Sequence, residues 1–340
     1  LKFISKIIIN KRIRWKMAEA IVIEEYGSSE VLKYKDLNIR KPREDELLIR
    51  NTAIGVNYHD VYVRSGLYKT LKLPGIPGCE AAGVVEKIGI SNSDFKVGDR
   101  VVYITSEYGA YSSHIIINRE KVIKLPKFID DELVATNFLR AMTVEMLLNR
   151  ITEIDETKTI LVTAAAGGVG RLLCQWASSF GVKVIGSVSN LEKIAETKAN
   201  GCYETLLANQ QDFAKKIHQL TGGKGVDIVF DSVGADTFNS SLESLAPCGF
   251  LINFGQSSGA VDPLLMTTLA QKSLSVARPI LFHYFKSYEI YEQMAASVFQ
   301  AFDTGVLNVS DFSPFSLRDA SEAHDLLESR KGGGSIYLKP

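Results

Sequence analysis

The chain has 340 residues, 46% of them hydrophobic, and its 39 lysines and arginines balance 39 aspartates and glutamates. That length exceeds what a single hydrophobic core organises well, so two domains are expected. Zero formal charge, with no basic block beyond the first sixteen residues, argues against a nucleic-acid partner, and no apolar run reaches the length of a membrane span. The four cysteines, Cys79, Cys174, Cys202 and Cys248, are scattered with no CxxC pair, which reads as a reduced, cytoplasmic protein.

Residues 1–16 carry Lys2, Lys6, Lys11, Arg12, Arg14 and Lys16 among isoleucines and phenylalanine, with no acid. Two readings compete: a basic amphipathic leader, and an extension upstream of a start at Met17. The stretch lacks the long apolar region and small-residue cleavage site of a secretory signal, and it is left outside the expected fold. From Ala20 to about Pro126 the pattern is strand-like and rich in turns, with strands expected over Ala20–Glu24, Glu46–Val56, Ala82–Ile88, Asp99–Ile104 and Tyr111–Asn118. This predicts a small β-barrel lobe.

After Pro126 strands alternate with helices. Strands are expected over Thr159–Ala165, Lys183–Val188, Asp227–Asp231 and Phe250–Phe254, which gives an α/β class and a doubly wound parallel sheet. A helix over Leu317–Arg330 and a strand over Ser335–Leu338 complete the reading, the strand rejoining the first lobe. The expected boundaries are 17–140 for the first lobe, 141–305 for the second and 306–340 for the return.

The most informative stretch runs from Thr159 through Ala164-Ala165-Ala166-Gly167-Gly168-Val169-Gly170, where an apolar strand gives way to small residues that open a helix, Gly168 to about Phe180. Backbone N–H groups at a helix N-terminus hold a dinucleotide's diphosphate, and side chains of one carbon or none allow close approach. The plainer alternative is a tightly packed βα turn. At the end of the next strand a carboxylate would select NAD, yet Gly186-Ser187-Val188-Ser189-Asn190-Leu191-Glu192-Lys193 places Val188 there. NADPH is therefore the expected cofactor, with Lys193 either near the 2′-phosphate or a solvated helix lysine, and Glu192 pointing away. The tips Asp231-Ser232-Val233-Gly234 and Phe254-Gly255-Gln256-Ser257-Ser258-Gly259 are expected to line the same cleft, with Phe254 walling the nicotinamide.

From Ala20 to Pro340 the chain resembles the zinc-free NADPH:quinone oxidoreductases of the medium-chain dehydrogenase/reductase superfamily, relatives of zeta-crystallin. The residues that carry this are Gly55 through Tyr68, Gly98-Asp99-Arg100-Val101-Val102-Tyr103, Ala164 to Gly170, Asp231 to Gly234 and Phe254 to Ala260. The resemblance implies a GroES-like lobe plus a Rossmann lobe, and a homodimer formed through the latter. It also implies cofactor contacts by Asn57, Thr143, Gly167, Gly168, Val169, Ser189, Asn190, Lys193, Ser232, Phe254, Gly255, Ser257, Arg278 and Pro279. Ala208 departs from the pattern, standing where bacterial relatives commonly place a tyrosine.

The zinc-binding relatives carry a catalytic Cys and His where this chain has Asn57 and Cys79, and no cluster of four cysteines is present. Cys79, Glu80, His59 and Asp60 are the nearby candidate ligands, but both pairs are sequence neighbours whose side chains diverge, so no metal is expected. Without a Lewis acid, reduction of a good hydride acceptor is the favoured chemistry, by hydride or single-electron transfer. A quinone or enone needs donors at the oxygen that becomes negative, and Asn57, Tyr62 and Tyr68 are the candidates. Either tyrosine could instead pack inward. His114, His218, His283 and His324 are dispersed, and no Ser-His-Asp arrangement is readable. The alternatives are an enone or 2-alkenal reductase on the same scaffold, and an NADPH-binding structural or RNA-binding protein.

Overall fold

The computed structural model describes residues 16–89, 94–329 and 335–340. It opens on an antiparallel hairpin of β1 (Lys16–Val22) and β2 (Lys33–Ile39), in register from Lys16 opposite Ile39 to Val22 opposite Lys33. The expected first strand, Ala20–Glu24, therefore begins earlier and ends sooner. Lys16, counted with the basic extension in the sequence reading, is paired with Glu86. The rest of that extension lies outside the described residues.

β3 (Glu46–Gly55) is the centre of the first lobe because Leu47, Leu48, Ile49, Ala53 and Ile54 are all buried. It is followed by α1 (Tyr58–Ser65), β4 (Glu80–Ile88), β5 (Arg100–Ile104), β6 (His114–Asn118) and β7 (Val122–Lys124). β3 pairs antiparallel with β4 and β6, and β5 lies between β4 and β7. The expected strand from Tyr111 starts only at His114, because Tyr111 first gives its carbonyl to Ile21 N at 2.9 Å.

The long helix α2 (Asp131–Met146) has buried residues around most of its circumference, since it packs on the first lobe on one side and the second on the other. It ends in a wide turn, Leu147–Ile151. The second lobe then alternates: β8 (Thr159–Val162), α3 (Gly168–Ser179), β9 (Lys183–Val188), α4 (Ile194–Ala199), β10 (Glu204–Leu207), α5 (Phe213–Leu220), β11 (Val226–Asp231), α6 (Phe238–Ser244), β12 (Leu245–Asn253), α7 (Met266–Ala270) and β13 (Ser275–Ala277). Its six strands are parallel, in the order β10-β9-β8-β11-β12-β13. That order reverses beside β8, and ligands of such sheets lie at this switch point.

α8 (Tyr288–Asp303) packs Tyr291 and Phe299 against Phe138 of α2 in the core between the lobes. β14 (Phe312–Ser316), α9 (Ala320–Glu328) and β15 (Ser335–Lys339) follow, α9 being shorter than expected because Leu317–Asp319 forms a separate turn and residue 330 lies outside the described residues. β15 pairs antiparallel with β3, Tyr337 opposite Gly55 and Leu338 opposite Ile54. No helix among the described residues is long and apolar enough to cross a membrane.

Candidate active site

β8 stops at Val162 rather than Ala165, because the chain turns at once. Ala164 adopts φ 47°, and Gly167 N donates to Ala164 O at 2.7 Å. α3 begins at Gly168, and Gly167, Gly168 and Val169 are half-buried at its N-terminus, on the side where the parallel strands end. A Cβ on Gly170 would lie 2.2 Å from Ala164 O, so α3 can pack this close to the turn only as glycine. A Cβ on Gly168 would lie 2.8 Å from the guanidinium carbon of Arg140. The helix N-terminus thus lies among small residues with the buried Arg140 against Gly168, a setting that fits a diphosphate.

The neighbouring tips are stitched together. Asp231, fully buried, accepts from Val233 N at 2.8 Å, Gly234 N at 3.1 Å and Thr237 Oγ1 at 2.9 Å. Phe254 N donates to Asp231 O at 2.8 Å and Ser257 N to Ser232 O at 3.4 Å, while a Cβ on Gly255 would sit 2.5 Å from Ser232 O. Ser232, Phe254, Gly255 and Ser257 therefore form one continuous rim, with Phe254 packed against the core between the lobes. Arg278 and Pro279 follow β13 on the same side, and Arg278 Nη1 donates to Asn253 O at 2.9 Å. Thr143 is half-buried on α2, its hydroxyl donating to Leu139 O at 2.8 Å.

At the corner expected to take the nucleoside, Val188 is buried at the end of β9, and Ser189 and Asn190 are exposed beyond it. Lys193 is half-buried in the turn that follows, Leu191–Lys193. Glu192 is exposed on the same turn. Asn190 caps the turn by accepting from Glu192 N at 3.0 Å, and this brings the Glu192 carboxylate within 3.2 Å of Asn190 Nδ2. Ala208 N donates to Val188 O at 2.8 Å, so a residue at 208 does border this corner.

On the opposite wall, α1 and the loop after it carry the aromatic groups. Tyr62 and Tyr68 lie edge to face with ring centroids 5.0 Å apart, and His59 meets Tyr68 edge-on at 5.8 Å. Arg278 Nη2 donates to the Tyr68 hydroxyl at 2.9 Å, tying this wall to the rim. Burial pushes the Tyr62 phenol up to about 12, against the effect of the Gln256 backbone and Arg278. Burial also holds His59 down at about 4, so its ring is neutral.

Asn57 sits deeper and is almost fully buried. Its Nδ2 donates to Glu80 Oε1 at 2.6 Å, and Arg140 Nε donates to its Oδ1 at 3.4 Å. Glu80 Oε2 accepts from Leu139 N at 2.7 Å, and Arg140 also donates to Val56 O and Ser335 Oγ. Burial raises Glu80 to about 7 despite Asn57, Leu139 and Arg140, and lowers Arg140 to about 10. Arg140 thus meets the Asn57 amide and lies against Gly168, the first residue of α3. Sequence reasoning considered Glu80 only as a metal ligand and missed Arg140. The available signal was an ionisable residue set in each of two apolar runs, Glu80 before Ala81-Ala82-Gly83-Val84-Val85 and Arg140 within Phe138-Leu139-Arg140-Ala141-Met142. Among the described residues, no three His, Cys, Asp or Glu side chains converge as a metal site.

Known proteins share the sequence and fold of this chain. Residues 43–127 match the alcohol dehydrogenase GroES-like domain, and residues 168–299 match a family described as zinc-binding dehydrogenase. A quinone oxidoreductase of Pseudomonas aeruginosa is 41% identical over 325 residues, 95% of this chain and 100% of that protein. A 2-haloacrylate reductase of Burkholderia is 38% identical over 331 residues, 95% of this chain and 99% of that protein. The crystal structure of Escherichia coli quinone oxidoreductase complexed with NADPH superposes with a TM-score of 0.91 at 40% identity, covering 95% of this chain and 100% of that one. Full-length similarity, the GroES-like lobe and the 3-2-1-4-5-6 parallel sheet together make the chain a member of the quinone oxidoreductase family within the medium-chain dehydrogenase/reductases.

Proposed function

We propose that this protein reduces quinones with NADPH in the cleft between its two lobes. The observation that supports the reading is the 2.9 Å bond from Arg278 to the Tyr68 hydroxyl, because the same guanidinium holds Asn253 O at the end of β12 and so ties the aromatic wall to the strand ends beside which a nicotinamide would lie. The α3 cradle fits a diphosphate, and Ser189, Asn190 and Lys193 would meet the 2′-phosphate. When bound, the reduced nicotinamide supplies a hydride.

The chain's own groups supply orientation and charge stabilisation. Tyr62, neutral to about 12, donates a hydrogen bond to the oxygen that gains charge but does not give up its proton readily. A free phenol titrates near about 10, so handing a full proton to a reduced quinone is uphill for Tyr62, which serves as a hydrogen-bond donor while net protonation is completed from bulk solvent at neutral pH. Asn57 keeps one amide proton beyond the one given to Glu80, and this second donor can face the substrate. The reaction is proposed to be zinc-independent. In support, Asn57 is committed to Glu80 and Arg140, and Cys79 is fully buried beside Asp60, which together with burial pushes its thiol well up.

The free edge β13 is flanked by exposed Leu265, Met266 and Ile280, which supports a two-fold dimer through the Rossmann lobe, testable by light scattering. All four cysteines are unbridged, in keeping with a cytoplasmic setting. The resemblance to a 2-haloacrylate reductase favours activated alkenes as the second reading. Following NADPH oxidation against a series of quinones and of simple enones separates the two, and a strong preference for the enones defeats the quinone assignment.

A further inference from the structure

The sulfurs of Cys174 and Cys202 lie 3.4 Å apart, both buried, one on α3 and the other in the turn between α4 and β10. Neither is part of the chemistry proposed above. That turn is pressed on α3: a Cβ on Gly201, at φ 94°, would meet Ser178 Oγ at 2.2 Å and Cys174 O at 3.2 Å. Behind it, a Cβ on Gly186 of β9 would lie 2.9 Å from both Cys202 Sγ and Ala165 Cβ, and Ala165 belongs to the cradle turn. The thiol pair is thus one layer from the diphosphate site, and α4 begins directly after Lys193.

We propose that Cys174 and Cys202 are a hydroperoxide-sensitive dithiol, whose closure to a disulfide weakens nucleotide binding at the adjoining cradle. A disulfide needs its sulfurs at about 2.05 Å, so closure draws them together by roughly 1.3 Å and pulls the turn at 200–203 onto α3. The interior is packed too tightly to absorb such a shift locally, and the displacement reaches β9, the cradle turn and the Asn190–Lys193 corner. Cys202 is the more readily ionised of the two, helped by donation from Cys174 and Thr205, while Cys174 is pushed up.

The Cys202 thiolate attacks the O–O bond of a hydroperoxide, forming a sulfur–oxygen bond and releasing alkoxide, which takes a proton to leave as alcohol or water. Sulfur is oxidised by two electrons and the peroxide is reduced. The Cys174 thiol then attacks that sulfur, forming S–S, and its proton leaves with the displaced oxygen as water.

The affinity effect rests on NADPH being the ligand of the cradle, whereas disulfide formation does not. The reduced full-length protein is therefore treated with hydrogen peroxide, its remaining thiols are blocked, and intact mass, a peptide map and NADPH fluorescence titration are read together. The expected result is two fewer blocked thiols than in the untreated control, a peptide joining 174 to 202, and affinity weakened by about fivefold or more and restored by dithiothreitol. Cys202→Ser and Cys174→Ala should each abolish the link with their fold intact by circular dichroism, and Cys248→Ser should leave it unchanged. Addition of oxygen without a link, a link through Cys248, or a linked protein of unaltered affinity overturns the proposal. If the reduced protein fails to bind NADPH while the 174–202 link still forms, it is the functional reading that falls.

Discussion

Asn57 gives an amide proton to Glu80 across 2.6 Å of buried space, and Arg140 meets the oxygen of the same amide from the other side. The amide has one orientation that satisfies both neighbours, so the direction of its remaining proton is fixed before any substrate arrives.

Replacing Glu80 by glutamine tests this. The new side chain has one oxygen for two donors, Asn57 Nδ2 and Leu139 N, and must turn its own NH₂ toward one of them. The cost should be about 1–3 kcal/mol of stability, read from urea denaturation, with kcat falling more than KM for NADPH because Asn57 loses its fixed direction. A variant of normal kcat would show that the orientation of Asn57 is immaterial.

At the cradle, Gly170→Ala pushes a methyl group into Ala164 O, and neither backbone can yield. Stability should drop by about 1–3 kcal/mol, and NADPH binding by fluorescence should be lost. Gly168→Ala meets the movable end of Arg140 instead. It should fold well yet lose kcat, because the displaced guanidinium releases Asn57.

Lys193→Ala should raise KM for NADPH by roughly tenfold or more, the worth of one charge-assisted hydrogen bond, while KM for NADH hardly moves. Equal effects on the two cofactors would remove Lys193 from the 2′-phosphate site.

Asp60 and Glu80 should each contribute less stability as pH rises through the acid range, while buried His59 and His324, both held below 6.5, work in the opposite direction. Burial lifts Asp60 from 3.8 to about 7 and Glu80 from 4.5 to about 7, so the folded protein keeps protons that the unfolded chain has already released. Their stabilising uptake is complete near the unfolded values and is lost as pH approaches about 7. Glu46, held at about 2 by Arg40, acts oppositely, losing its contribution as pH falls from 4.5 toward 2. In urea denaturation at pH 5 and pH 8, Asp60→Asn should gain on the unsubstituted protein at the higher pH. A constant difference would mean that Asp60 is ionised at both.

The sequence made the parallel sheet readable because its central strands are apolar runs closed by glycine or polar tips. β10 and β13 escaped notice, being four and three residues long with no room for a pattern. The cradle was legible for the same local reason: strand, small residues and helix are contiguous. The aromatic wall of the cleft was legible in kind but not in partnership. Tyr62 and Tyr68 announce themselves as donors, yet the cation that meets Tyr68 is Arg278, brought from the other lobe by the fold. Glu80 and Arg140 were harder still, since neither belongs to a motif and their joint effect exists only where β4 and α2 cross.

The pairing of β15 with β3 bears on how the molecule is made. The first lobe borrows a strand encoded after the whole nucleotide-binding lobe, so on the ribosome its sheet waits, one edge open, while the second lobe emerges and closes. Expressed as a contiguous N-terminal fragment, that lobe would expose the unpaired backbone of Ile54 and Gly55 and should aggregate, whereas a fragment bounded by β8 and β13 carries every strand of its own sheet.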